Sequence, residues 1–293
     1  MPLPVGWEAP GALPAFRRIL LATDFSPYSA AAAPFAALLA DYYDAEVFPT
    51  HVIPAEPESA PESGEAEQSG ESAQAEMERF LRENPLGDAP RHLILERGRI
   101  WDVLAEVIRQ KGIDLVVLGT HGRRGLGKLM LGSVAEHIFQ MAPCPVLSIG
   151  PKARKSWGSQ RKLGRILYAT DLAGESLKAL PYALSLAQVS GAELALLHVP
   201  EGAAAEQEHM QSLHERLNAL LPVAARSWCK WDTWVIAGEP ADVILKTAVQ
   251  QNVDFIVMGG HLVEGPLYAV KVPATTAYRV VSRADRAVLR VRS

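Results

Sequence analysis

The stretch "RRILLATDFS" (residues 17–26) returns later in the chain as "GRILYATDLA" (164–173). Ile19, Leu20, Ala22, Thr23 and Asp24 recur as Ile166, Leu167, Ala169, Thr170 and Asp171, an offset of 147. The same offset relates Pro34 to Pro181, Ala45 to Ala192, Glu46 to Glu193, His51 to His198 and Val52 to Val199. Further on the offset becomes 140, pairing Gly98 with Gly238, Asp102 with Asp242, Asp114 with Asp254, Gly119 with Gly259 and His121 with His261. Near the end it is 142, aligning "CPVLSI" with "RAVLRV". The chain is therefore a duplication of one domain of about 145 residues, not a solenoid of short repeats.

Each copy alternates strand and helix signals. In the first, Arg18–Thr23 is an apolar run that ends at Asp24. Ser26-Pro27 supplies an N-cap and a first-turn proline for a helix through about Tyr42. Glu46–Ile53 is the second strand, and a helix with Met77, Phe80 and Leu81 on one face follows it. His92–Glu96 is the third strand. Ile100, Val103, Leu104, Val107 and Ile108 have helical spacing, and Gly112 is placed to close that helix in the left-handed conformation. Asn252, which also tolerates that conformation, stands at the matching place in the second copy. Asp114–Leu118 and Pro145–Ile149 are the last two strands. Between them Ser133-Val-Ala-Glu136 reads as a capping box opening the last helix. Repeated βα units predict parallel, doubly wound sheets with helices on both faces.

Two segments break the pattern. Residues 54–76 carry seven glutamates and no basic residue, and read as a mobile surface loop. The basic segment "PKARKSWGSQRKLGR" (151–165) joins the copies. Domains are set at 1–150 and 164–293, with a solvated linker at 151–163.

Bulk properties narrow the class of function. Apolar residues make up 48% of 293, enough for packed cores. A formal charge of −4 argues against a broad nucleic-acid or anionic-membrane surface. Cys144 and Cys229 have no metal-ligand or disulfide spacing and read as buried reduced thiols. The proline-broken N-terminus lacks the basic and apolar regions of a signal peptide, and no apolar run has the length of a membrane helix. A soluble cytoplasmic protein is the expectation.

"GTHGRRGLGKLMLGS" (119–133) carries the chemistry. Gly122 through Lys128 approaches the P-loop pattern, but Leu129 stands where that pattern needs a Ser or Thr for Mg²⁺. The loop also follows the fourth strand of its unit rather than the first. A second spacing accounts for more: Gly119-x2-Gly122-x9-Gly132-Ser133. Gly119 and Gly122 let backbone come close to a ligand and permit positive φ. Gly132-Ser133-Val134 opens a helix whose free N–H groups attract phosphate, and Ser133 adds a hydroxyl. Arg123, Arg124 and Lys128 either neutralise phosphate or are solvated loop charges.

This pattern, with Ala22-Thr23-Asp24 at the end of the first strand, closely resembles the universal stress protein family over both copies. The resemblance implies a tandem of two Rossmann-like α/β domains. Each would hold a five-stranded parallel sheet in the order 3-2-1-4-5, with the ligand at the switch point between strands one and four. It implies ATP, with Mg²⁺, in the first copy. Ala22, Thr23 and Asp24 would border the adenine end, and Val52 would contact adenine through its backbone. Leu118 and Gly119 would lie along the nucleotide. His121, Gly122, Gly132, Ser133 and Val134 would hold the phosphates. Asp24 has a second reading as an Asx turn into the helix after Ser26. Pairing through the fifth strands, common in the family, would make the chain an intramolecular pseudo-dimer, with a further homodimer open.

The second copy departs from the pattern. Leu262 replaces Gly122, Ala274-Thr275 replaces Gly132-Ser133, and Glu264 adds negative charge, so this copy is not expected to bind ATP in the family manner. Trp228, Trp231 and Trp234 read as packing aromatics or as the wall of a separate apolar pocket. Three functions fit: an ATP-binding stress-response regulator or protective module, a slow ATP hydrolase, or a nucleotide-independent scaffold. No general base for phosphoryl transfer stands near the glycine loop, and no adenylyl-transfer signature is present. Protein partners are not legible.

Overall fold

The computed structural model describes residues 13–54, 65–121, 131–150, 152–153, 162–200, 207–260 and 275–292. One compact unit is Phe16–Pro151; the other begins at Lys152, and residues 13–15 group with it. Ser185 Oγ donates to the Pro14 carbonyl at 2.5 Å. Most of the basic connection between the copies lies outside the described residues.

The first unit runs β1 (Arg18–Ala22), α1 (Pro27–Ala30), α2 (Ala33–Tyr43), β2 (Glu46–Pro54), α3 (Glu65–Glu83), β3 (Ile94–Gly98), α4 (Ile100–Lys111), β4 (Leu115–Gly119), α5 (Ser133–Met141) and β5 (Val146–Ile149). Its strands lie in the order β3-β2-β1-β4-β5, all parallel. The second unit runs β6 (Arg165–Thr170), α6 (Gly174–Leu177), α7 (Leu180–Ser190), β7 (Glu193–His198) and α8 (Gln207–Ala219). A 3₁₀ turn (Val223–Ser227), β8 (Trp231–Val235), α9 (Pro240–Gln250), β9 (Phe255–Gly260), α10 (Thr276–Arg283) and β10 (Ala287–Arg292) follow. Its order is β8-β7-β6-β9-β10, again parallel. Both units thus have the expected 3-2-1-4-5 sheet.

The repeated residues explain the repeated fold. Central strands are covered on both faces, so Ile19, Leu20, Leu21, Leu115, Val116 and Val117 are all essentially inaccessible. At the start of β1 the Asp114 carboxylate accepts the Arg17 amide at 2.7 Å and the Arg18 amide at 3.1 Å. Asp254 accepts the Gly164 and Arg165 amides at the same two distances. One carboxylate per unit therefore ties β1 or β6 to the strand beside it. Gly112 ends α4 at φ 59°, and Asn252 adopts φ 49° after α9, as their residue types suggest.

Two local expectations need correction. The helix after Ser26 is not continuous. Pro34 has no N–H for the Ala30 carbonyl, so α1 stops at Ala30 and α2 restarts with the proline in its first turn. Pro181 divides α6 from α7 in the same way. The acidic stretch is helical from Glu65 onward. Ala73, Met77 and Phe80, spaced four and three apart, form a narrow buried stripe within an otherwise polar sequence. Residues 55–64 lie outside the described residues. The three tryptophans are partly exposed: Trp228 is 39% exposed, and Trp231 and Trp234 are half-buried on β8. Trp231 donates its indole N–H to Asn218 Oδ1 at 3.2 Å, and the Arg226 guanidinium lies 5.9 Å from its ring.

The break at Pro34 has a consequence for β4. The freed segment α1 crosses the strand end so closely that a Cβ on Gly119 would meet the Tyr28 carbonyl oxygen at 2.5 Å. A Cβ on Gly259 would meet Ser176 Cα at 2.6 Å. Both obstacles are backbone and cannot rotate away. Gly259→Ala is therefore expected to cost about 1–3 kcal/mol. Chemical denaturation checks this; an unchanged midpoint would mean that α6 yields freely and that the close approach constrains nothing.

Candidate functional site

The predicted residues that the structure describes lie at the C-terminal edge of the first sheet and the start of the helix after β4. Ala22 closes β1, and the chain leaves the sheet through Thr23, Asp24 and Phe25. The Thr23 amide donates to the Thr50 carbonyl at 3.0 Å, and Thr23 Oγ1 accepts the Phe25 amide at 3.0 Å and lies 3.0 Å from Ser29 Oγ. Asp24 Oδ1 accepts the Ser26 amide at 3.1 Å, so the Asx turn is real. Ser26 caps α1 by accepting the Ser29 amide at 3.2 Å. These bonds turn the chain sharply, and Phe25 takes a left-handed φ of 61° to complete the bend. Leu172 does the same at 63° in the second unit.

Val52 lies on β2, two residues beyond the last pairing with β1. The Thr50 carbonyl points toward β1, where it meets Thr23. Because backbone polar groups alternate sides along a strand, those of Val52 point the same way, past the end of β1. His51 holds this corner. Its Nδ1 lies 2.8 Å from the Thr23 carbonyl, which can only accept, so Nδ1 carries the proton. The Phe25 ring stacks on it with centroids 4.2 Å apart.

Leu118 is buried, and Gly119 follows it at the end of β4. Gly119 does not adopt positive φ; helix α1, rather than a torsion, requires its missing side chain. Thr120 is 1% exposed and joins both ends of the loop: its amide donates to Ile149 and its carbonyl accepts the Gly132 amide, at 3.0 and 2.9 Å. His121 Nδ1 lies 2.9 Å from Thr120 Oγ1, and its ring is tilted against Tyr28 at 5.5 Å. Burial holds its pKa below the ordinary value, so the imidazole is neutral near pH 7. Gly122, Arg123, Arg124 and Lys128 lie outside the described residues.

Helix α5 starts one residue earlier than its capping box implies. Gly132 is the N-cap, with φ −60° and ψ 148°, and Ser133 is already the first helical residue. Ser133 and Val134 are exposed, and among the described residues the Ser133 hydroxyl has no hydrogen-bond partner. In the second unit the aligned residue behaves differently. Thr275 is itself the N-cap of α10 and accepts the Tyr278 amide at 3.2 Å. Its hydroxyl therefore closes the helix end that Ser133 leaves open. Leu262, Glu264 and Ala274 lie outside the described residues.

With this geometry established, comparison with known proteins is direct. The model of the universal stress protein family matches residues 15–149 and again residues 162–292. The chain belongs to the universal stress protein family. A universal stress protein of Methanocaldococcus jannaschii is 31% identical over 142 residues, 46% of this chain and 82% of that one. Universal stress protein A homolog 1 of Coxiella burnetii is 34% identical over 144 residues, 47% of this chain and 98% of its own. The crystal structure of a universal stress protein from Archaeoglobus fulgidus superimposes over 94% of this chain and 98% of its own, with TM-score 0.71 at 20% identity, a likeness of fold. Relatives of single-domain length match half of this universal stress protein, and a double-length structure matches nearly all of it.

Sequence reasoning missed Phe25, Tyr28 and Thr120. The only signal for this corner was the recurrence of His51 as His198, which has a structural cause: His198 Nδ1 meets the Thr170 carbonyl at 2.9 Å. Among the described residues no group of three His, Cys, Asp or Glu converges to hold a metal, and no helix is long and apolar enough to cross a membrane.

The two histidines with lowered pKa give a pH dependence. Burial is the main cause for His121 and for His198; the Arg216 charge adds to it at His198, and the Thr170 carbonyl opposes it. The unfolded chain takes up these protons near the ordinary value of 6.5, before the folded chain does. Stability is therefore full above that value and falls as pH drops through it toward the lower folded values. Urea midpoints between pH 8 and 5.5 should show this loss, with a shallower slope for His198→Gln. An unaltered slope in the folded variant would remove His198 as a contributor.

Proposed function

We propose that the first unit of this universal stress protein binds ATP. The chain would then act as a stress-response regulator or protective binding module in the cytoplasm, its surface answering to nucleotide occupancy. The observation that carries the reading is the open start of α5. Gly132 and Ser133 present a helix N-terminus with no side-chain cap and a hydroxyl with no partner among the described residues. That helix end is tied through Thr120 to β4, the strand that lies beside β1 at the switch point. An anion is favoured there by the free N–H groups and the helix dipole. Adenine would lie toward Thr23, Asp24 and the outward backbone of Val52, with Leu118 and Gly119 beneath the ribose and phosphates. His121, neutral and leaning on Tyr28, would approach the phosphates as a hydrogen-bond partner without adding charge. Mg²⁺ would come with the nucleotide, held through its phosphates.

The second unit supports one site rather than two. It retains the Asx turn, with Asp171 Oδ1 accepting the Ala173 amide at 2.9 Å, and the glycine at the end of β9. Its α10 is closed by Thr275. Slow hydrolysis and a nucleotide-independent scaffold are the competing functions, and one experiment separates all three. Chain purified without added nucleotide, then denatured, should release about one ATP per chain, identified by chromatography and mass spectrometry. Gly132→Val should abolish this while leaving the circular dichroism spectrum unchanged. Two ATP per chain would place a second site in the second unit. ADP formed with multiple turnovers would make the protein a hydrolase, and no nucleotide even after incubation with Mg·ATP would leave a scaffold.

A further inference from the structure

Beside the open end of α5 lies a second feature that ATP does not account for. The first turn of α4 and the first two turns of α5 leave a cleft of about 180 Å³, lined by Ile100, Trp101, Ser133, Val134, His137 and Ile138. Ser133 and Val134 belong also to the proposed phosphate site, so the two are continuous. The Trp101 and His137 rings lie 5.1 Å apart at 33°, giving the cleft an aromatic wall. Among the described residues no lysine or arginine lines it, and its wall away from Ser133 is apolar and aromatic. Whole-ligand pockets are roughly 300–1,000 Å³; this cleft holds about one ring system.

The second unit indicates that packing alone does not require the aromatic pair. There Ala241 aligns with Trp101 and Arg279 with His137. The corresponding helices α9 and α10 are joined instead by ion pairs, Arg279 to Glu239 at 2.5 Å and Arg283 to Asp242 at 2.7 Å. The same helix pair closes with ion pairs in one unit and with an aromatic cleft in the other.

We propose that the cleft is a subsite for an aromatic group carried on the terminal phosphate of an adenine nucleotide: the ligand class is a dinucleotide joined through its phosphates. The inference rests on the nucleotide reading of the first unit. One adenosine lies at β1 and β2, the phosphates cross the start of α5, and the second base packs against Trp101 and His137. Stacking of a base on an aromatic side chain is strong enough to give about ten-fold in affinity.

Isothermal titration of the full chain with ATP and with diadenosine tetraphosphate tests this. The dinucleotide is expected to bind about ten-fold more tightly. Trp101→Ala should erase that preference while ATP affinity stays within about two-fold, and Trp101→Leu, which keeps apolar volume without an aromatic face, should do the same if Trp101→Ala fails to fold. Equal affinities in the native chain, or a preference that survives in a folded variant, would overturn the subsite and leave ATP binding intact. Binding of neither ligand would overturn the subsite together with the nucleotide reading.

Discussion

No side chain fits between the end of β4 and the backbone of Tyr28, and the architecture of the first unit's upper edge depends on that contact. Pro34 frees α1 from α2, and Thr23, Asp24 and Ser26 fold the exit of β1 into consecutive side-chain turns. The short helix then lies across its neighbour with a carbonyl 2.5 Å from where a Cβ would be. The cost of a left-handed Phe25 is offset by this bonding, and a bulky residue holds that conformation only where its surroundings over-determine it. The bend sends the chain away from β2 beyond Thr50, and this directs the Val52 backbone to open space rather than to a strand. A packing constraint in one place thus leaves unpaired backbone at the sheet edge in another.

The duplication separates two kinds of recurrence. Several residues that both units keep have structural duties in both. Asp114 and Asp254 tie strand starts, His51 and His198 grip threonine carbonyls, and Gly119 and Gly259 admit a helix. Asp24 and Asp171 make the same Asx turn. Their recurrence is explained before any ligand is considered. Among the many residues that differ between the units, Gly132, Ser133, Trp101 and His137 lie together at the start of α5 and the adjoining turn of α4. The case for a ligand in the first unit therefore rests more on the phosphate end than on Ala-Thr-Asp, although the latter motif is the more conspicuous.

Much of the fold was legible because its signals are periodic or stereochemical. The tandem repeat appears as constant offsets, the βα alternation as blocks of apolar residues, and the helix ends as Gly112 and Asn252, which tolerate left-handed backbone. What was not legible depended on competition between neighbours. Ser133 satisfies a capping rule, yet Gly132 takes the cap, its amide also held by the Thr120 carbonyl. Glu65–Glu76 looks like a loop by composition, since a stripe one side chain wide is enough to fix a helix on a sheet. Gly119 invites a torsional explanation, and only the path of α1 shows that space is the reason. Phe25 carries no sequence signal at all, because nothing in a phenylalanine announces a positive φ.

The same competition bears on how the two units diverged. Thr275 and Ser133 are chemically similar, and a sequence comparison treats them as near equivalents. Helix α10 begins one residue later relative to its aligned serine, so a hydroxyl that could donate outward is turned to its own backbone. A one-residue change in helix start converts an uncapped helix end into a closed one, without loss of fold and without a charge change at that position. The ion pairs that join α9 to α10 complete the closure by replacing an aromatic cleft with a bridge. A duplicated domain can therefore close one helix terminus by local moves, while the strand-tying carboxylates and the sheet order stay in place.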